Sequence, residues 1–150
     1  MSVHNSYLKK NQNIANSKEN LQTTINNIKD TKNTEFVLTN DNNTLKDSDN
    51  IDIIGDAIVD NKHITKVVIN NCSLDNKGAI NLLAALQNSN VTSIDLQNNN
   101  LKATEDFLTF LESIIPKYTK LKSLNVEGNP IETDTRMKTI IKMVNAPKTQ

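Results

Sequence analysis

Few side chains in this sequence have the chemistry of a nucleophile or a metal ligand. The chain of 150 residues contains one cysteine, Cys72, and two histidines, His4 and His63. A cysteine nucleophile is activated by a neighbouring base, and no motif places either histidine to activate Cys72. Two histidines so far apart also lack the ligand spacing of a zinc site. We therefore expect no catalytic residue, no bound metal and no cofactor.

Paired carboxylates offer a second route to chemistry, because an acid and a base held close together can exchange protons with a substrate. The candidates are Glu105 with Asp106 and Glu132 with Asp134. Both pairs come where a helix is predicted to begin, and negative charge there complements the helix dipole and caps free amide groups. We therefore interpret both pairs as structural.

Binding of phosphate groups would require a glycine-rich loop, and the only glycines are Gly55, Gly78 and Gly128. Each of them is explained by a turn or by close packing. GTPase activation often uses an arginine, and the sole arginine, Arg136, comes at the start of the last predicted helix. That role stays open for Arg136, but the sequence as a whole indicates a protein that is not an enzyme.

The balance of charge limits the class of partner. The 17 basic residues cancel the 17 acidic ones, whereas nucleic acids and acidic membranes attract proteins with a clustered basic face. We therefore expect no nucleic acid and no membrane as partner. A single cysteine cannot form an internal disulfide, which favours a reducing compartment. Neither a secretory signal pattern nor an apolar run of about 20 residues occurs, so a cytoplasmic location is expected.

A repeated pattern of apolar residues predicts how the chain folds. The stretches 64–74, 91–101 and 121–131 carry apolar residues at their first, fourth, sixth and eleventh positions, and they begin 27 and 30 residues apart. Phe36 and Leu38 fit the fourth and sixth positions of an earlier repeat, with a strand at 35–39. Between the strands the apolar period changes from 2 to about 3.6 residues, which predicts a helix after each strand.

The pattern resembles the leucine-rich repeat superfamily, and its sharpest match is Leu-Lys-Ser-Leu-Asn-Val-Glu-Gly-Asn-Pro-Ile at 121–131. The turn, glycine and helix of residues 74–86 resemble the ribonuclease-inhibitor-like subtype, and tropomodulin's repeats are similar. The resemblance implies an α/β solenoid of about four strand–helix coils, with a parallel inner sheet and outer helices. Family members act as inhibitors, scaffolds, actin-binding caps or GTPase regulators, so the fold does not select a partner.

The chain divides into three predicted parts. Residues 1–32 are polar and are expected either to be disordered or to form a helix that caps the first repeat. A coiled coil is an alternative there, because Ile14, Leu21, Ile25 and Ile28 approximate a heptad. The repeat domain is predicted to cover residues 33–145, and residues 146–150 form a C-terminal tail.

The ninth position of each repeat is predicted to be structural. The strand turns toward the helix there and leaves backbone groups without strand partners. An asparagine can bond to such groups in its own coil and in the neighbouring coil, because its amide both donates and accepts. Asn99 and Asn129 occupy this position, and Cys72 occupies it in the earlier repeat as an inert buried thiol.

Outward positions of the strands form the predicted surface for a protein partner, since the inner face of a solenoid is its usual contact surface. The face carries no aromatic residue and no arginine, the residues that usually anchor an interface. A merely solvated face, or binding through the outer helices or the ends, therefore remains an alternative. The predicted partner-binding residues are Thr65, Lys66, Val68, Asn70, Thr92, Ser93, Asp95, Gln97, Lys122, Ser123, Asn125 and Glu127.

Together these features predict a non-catalytic protein–protein interaction module, an adaptor or regulator that acts as a monomer. The composition is rich in asparagine and poor in arginine, as in proteins from AT-rich genomes. A more specific hypothesis is therefore a bacterial effector that is injected into a host cell and binds a host protein. The alternative is a self-assembling structural protein that uses the N-terminal segment or the ends of the solenoid.

Overall fold

The computed structural model describes residues 17–30 and 32–146. Strands and helices alternate along this part of the chain, as the change in apolar period predicts. In chain order the elements are α1 (Ser17–Asp30), β1 (Glu35–Thr39), α2 (Ser48–Asp60), β2 (Lys66–Asn70), α3 (Asn76–Leu86), β3 (Ser93–Asp95), α4 (Glu105–Ile114), β4 (Ser123–Asn125) and α5 (Thr135–Asn145), with 3₁₀ turns at Thr44–Lys46 and Pro130–Thr133.

The four strands form one parallel sheet in the order β1-β2-β3-β4. Phe36 pairs with Val67, Val67 with Ile94, and Ile94 with Leu124, so the fourth positions of successive repeats stand side by side. A parallel pair needs a crossover connection, and here a helix supplies each crossover. The predicted α/β fold of four strand–helix coils is confirmed.

The core lies between the sheet and the helices. One apolar cluster joins inward strand residues such as Val67 and Ile94 to helix residues such as Ile54, Leu83 and Leu111, all of them almost fully buried. The opposite face of the sheet is therefore turned away from the helices. We call that face, made of the outward residues of β1 to β4, the open face.

Each helix from α2 to α5 begins next to a residue whose side chain caps it. Asp75 accepts a hydrogen bond from the Gly78 amide at 2.9 Å at the start of α3. Asp134 accepts one from the Met137 amide at 3.1 Å at the start of α5. Such caps satisfy amides that have no partner within the helix, so the polar residues between repeats set where the helices begin.

Helix α1 covers the first coil. Ile25 and Ile28 are 7% and 1% exposed and belong to the core cluster, and the Asn61 side-chain amide donates to the Ile28 carbonyl at 2.6 Å. Covering the apolar end of a solenoid is what a capping element does. The heptad position Ile14 lies outside the described residues, and the domain boundaries at 32 and 146 stay predictions.

A residue with left-handed backbone geometry follows every strand. The φ angle is 56° at Asn40, 55° at Asn71, 58° at Asn98 and 77° at Gly128. These four residues occupy the eighth position of successive repeats, next to the structural ninth position. Asparagine and glycine enter the left-handed region at the least cost. Backbone geometry therefore accounts for asparagines that the repeat pattern alone does not explain.

We expect Gly128→Ala to lower the free energy of unfolding by about 1 to 2 kcal/mol, the cost of left-handed geometry for a residue with a side chain. A methyl group on Gly128 would also meet the Asn98 side-chain oxygen and lie 3.1 Å from the Asn98 amide nitrogen. Urea unfolding measures the change. The control is Asn98→Gly, which keeps an allowed conformation and should change stability little. An unchanged midpoint for Gly128→Ala would contradict the conformational requirement.

Candidate protein-binding surface

In-register pairing arranges the outward side chains of the strands in rows across the open face. Neighbours in a row stand opposite each other on adjacent strands, and successive rows are two residues apart along each strand. The first row is Glu35, Lys66, Ser93 and Ser123, the second row is Val37, Val68, Asp95 and Asn125, and Thr39 with Asn70 begins a third row. The structure thus brings together side chains that are about thirty residues apart in sequence.

Val68, one of the predicted partner-binding residues, has little exposed surface. Its side chain is only 9% exposed, although Val68 lies outside the main core cluster. The reason is its central place in the second row, where Val37 and Asp95 flank it on the adjacent strands. Val68 is therefore largely covered by its neighbours in the second row and offers little area to a partner.

Val37 is an open-face residue that was not predicted. It pairs with Val68 across the β1–β2 ladder. Its side chain is 51% exposed because β1 is an edge strand of the sheet. The open face therefore has an apolar spot at its N-terminal end. The signal was present in the sequence, since Val37 lies between the two core positions Phe36 and Leu38.

Polar side chains on the rest of the open face are partly held by local bonds. Asp95 accepts from the Gln97 backbone and side chain at 3.1 and 3.0 Å. Asn125 accepts from the Glu127 amide at 2.9 Å. These bonds fix the directions of both side chains before any partner arrives, which lowers the entropy cost of binding.

One ion pair crosses the open face. Lys66 Nζ lies 3.4 Å from a carboxylate oxygen of Glu35, and both side chains are about half exposed. Surface pairs of this kind contribute little to stability. Both charges therefore stay accessible to a partner.

A row of residues just before the strands borders the open face. The Thr65 amide donates to the Thr34 carbonyl, the Thr92 amide to Thr65, and the Lys122 amide to Thr92, each at 2.8 Å. The same bond repeats from coil to coil, so Thr65, Thr92 and Lys122 lie in line. Their backbone groups form the hydrogen bonds between adjacent coils, and their side chains border the open face.

The side-chain oxygen of Asn70 is the one buried side-chain nitrogen or oxygen atom without a hydrogen-bond partner in the described part of the chain. Asn70 lies on β2, opposite Thr39 on the edge strand. An unpaired buried acceptor costs free energy. Because this oxygen atom is itself buried, it is not open to a partner.

The asparagines at the ninth repeat position connect the coils. Asn99 accepts from the Cys72 and Leu74 amides at 3.0 and 3.1 Å, and it donates to the Ile69 and Leu96 carbonyls at 2.7 and 3.0 Å. Each of these bonds satisfies a backbone group that the sheet leaves without a partner. The Asn99 carboxamide therefore bonds to backbone groups in its own coil and in the preceding one.

Asn129 repeats this arrangement one coil later. It accepts from the Asn99 and Leu101 amides at 3.1 and 3.0 Å and donates to the Leu96 and Val126 carbonyls at 2.8 and 3.0 Å. Because the Asn99 backbone is itself a partner of Asn129, the two carboxamides form one connected ladder. The carboxamide atoms of both residues are hydrogen-bonded to backbone groups and are therefore not available to a partner.

Cys72 provides only part of the hydrogen bonding that these asparagines provide. Its sulfur lies 3.4 Å from the Leu38 carbonyl and 3.3 Å from the Asn70 carbonyl, one in the preceding coil and one in its own. A thiol is a weak donor and a poor acceptor. Cys72 is 1% exposed, so the fold shields its sulfur from solvent.

The paired carboxylates lie at helix starts. Asp134 caps α5, and Glu132 accepts from the Gly128 amide at 2.8 Å. Glu105 begins α4 next to the cap Thr104. Glu132 and Asp134 are thus engaged with the backbone, and Glu105 is engaged with Arg136 of α5, which agrees with a structural role.

Arg136 joins two helices. Its guanidinium donates to both oxygens of Glu112 at 3.1 and 2.7 Å and to Glu105 at 2.9 Å. The hydrogen bond to Glu112 raises the pKa of Arg136, and the same bond lowers the pKa of Glu112 below its ordinary value of 4.5. This side chain ties α5 to α4, and these surface contacts do not decide the GTPase-activating role considered above.

No cluster of three or more histidine, cysteine, aspartate or glutamate side chains that could hold a metal occurs within residues 17–30 and 32–146. Across the same residues, every helix is too short or too polar to cross a bilayer.

Comparisons with known proteins identify the fold. No protein-family model matches the chain, and no curated protein sequence matches it. Among solved structures, the leiomodin-1 actin-binding site 2 matches with a TM-score of 0.63 and 17% identity, over 83% of this chain and 70% of that one. The tropomodulin C-terminal domain of Caenorhabditis elegans matches with a TM-score of 0.51 and 14% identity, over 83% and 92% of the two chains. At such identities the likeness concerns the fold alone.

Proposed function

We propose that this protein is a non-catalytic protein–protein interaction module, an adaptor or regulator built on leucine-rich repeats of the ribonuclease-inhibitor-like subtype. The observation that carries the proposal is the open face itself. Four strands present accessible side chains there in ordered rows, while the core and the asparagine ladder hold the backbone beneath them in place. A rigid surface of this kind binds with little loss of conformational freedom.

The contact is proposed to centre on the N-terminal half of the open face. Val37 supplies an exposed apolar side chain, and the Glu35–Lys66 pair supplies both charges. A partner segment with an apolar side chain next to charged side chains fits this set. Together these groups compensate for the lack of aromatic and arginine anchors on the face.

Actin is the first defined protein to test, because the leiomodin-1 domain of similar fold is named as an actin-binding site. A host protein is the second class of partner, if the chain is a bacterial effector delivered into host cells. In either case we propose a cytoplasmic place of action, in the producing cell or in the host. The buried lone thiol is compatible with a reducing compartment.

The test compares two apolar surface residues on opposite sides of the fold. Val37 on the open face and Ile53 on α2 are 51% and 45% exposed. We expect Val37→Asp to reduce co-sedimentation with actin filaments, or recovery of the partner from host lysate, by about tenfold, which equals about 1.4 kcal/mol. The matched variant Ile53→Asp should behave as the wild type. Equal recovery with both variants would show that the open face is not the binding surface.

Self-assembly is a second candidate function, supported by the two sheet edges. β1 and β4 each pair with one strand only, and free strand edges are templates for further pairing. Light scattering on the full chain and on residues 33–150 tests this candidate. A monomer in both cases excludes self-assembly, whereas an oligomer that dissociates without the N-terminal segment supports it.

A further inference from the structure

We draw no further inference here: the strongest candidate, the groove of about 460 Å³ between helix α1 and the edge strand β1 that Thr24, Asn27 and Phe36 help to line, carries no proposal because nothing in the described part of the chain shows what covers it.

Discussion

Asn99→Leu should lower the free energy of unfolding by about 3 kcal/mol, as three backbone groups lose their side-chain partner at about 1 kcal/mol or more each. These groups are the Cys72 and Leu74 amides and the Ile69 carbonyl, which Asn99 contacts at 3.0, 3.1 and 2.7 Å. Leucine has the same branched side-chain skeleton as asparagine but no polar atom. Chemical unfolding in urea, analysed by linear extrapolation, measures the effect.

The neighbouring Asn100 provides the matched control. Asn100 is exposed, so Asn100→Leu makes the same chemical change outside the ladder and should shift stability by less than about 0.5 kcal/mol. A third variant, Asn99→Cys, introduces the residue that the preceding coil uses at this position. Its thiol can replace one donor but not the acceptor, so its stability should fall between those of the wild type and Asn99→Leu. Equal stability of Asn99→Leu and Asn100→Leu would refute the ladder's role.

Raising the pH from 10 to about 12 should remove about 2 kcal/mol of stability through a single tyrosine. Tyr118 is 1% exposed, and its hydroxyl donates to the Val91 carbonyl at 2.8 Å. Burial raises the pKa of Tyr118 from 10.0 to about 12, against the opposing effect of a hydrogen bond to Ser89. The folded state thus binds this proton more tightly than the unfolded state. Its contribution is complete below pH 10 and is lost as the pH rises through 12.

Tyr118→Phe separates this effect from the titration of the lysines. At neutral pH the variant should be about 1 kcal/mol less stable than the wild type, because the Val91 carbonyl loses its donor. By pH 12 the order should reverse, since only the wild type then has to bury or release an ionised phenol. Stability curves that stay parallel from pH 8 to pH 12 would contradict the burial of a neutral phenol.

A direct titration gives an independent check. The chain has two tyrosines, Tyr7 and Tyr118, so Tyr7→Phe leaves Tyr118 as the sole chromophore for tyrosinate absorbance. Its midpoint should lie near 12 in the folded protein and near 10 in urea. A midpoint near 10 in both states would mean that the phenol is accessible to water.

The stacking of the coils could be predicted from local chemistry. Positions such as Val67, Ile94 and Leu124 are apolar at fixed intervals, and burying them together requires the parallel register that the sheet shows. The role of Asn99 was also predictable, because the turn from strand to helix leaves backbone groups without strand partners, and a carboxamide can both donate to them and accept from them. These inferences need only the sequence period and the inventory of hydrogen-bonding groups.

Other features required the assembled structure. Val68 and Val37 are both valines at outward strand positions, yet one is 9% exposed and the other 51%. The difference depends on whether a strand lies on each side, which the order of strands decides. Similarly, residue type alone does not separate the asparagines at the eighth position from the other asparagines on the surface. Only their φ angles show that conformation selects them.

The sequence by itself determined the architecture, because apolar period, turn residues and helix caps are local properties that agree from repeat to repeat. Only the tertiary structure decided where the chain can bind. Val37 is accessible on the open face because, within the described residues, β1 pairs with a strand on one side only. Exposure at such an edge depends on which neighbours are missing, and a missing neighbour leaves no pattern in the residues that remain.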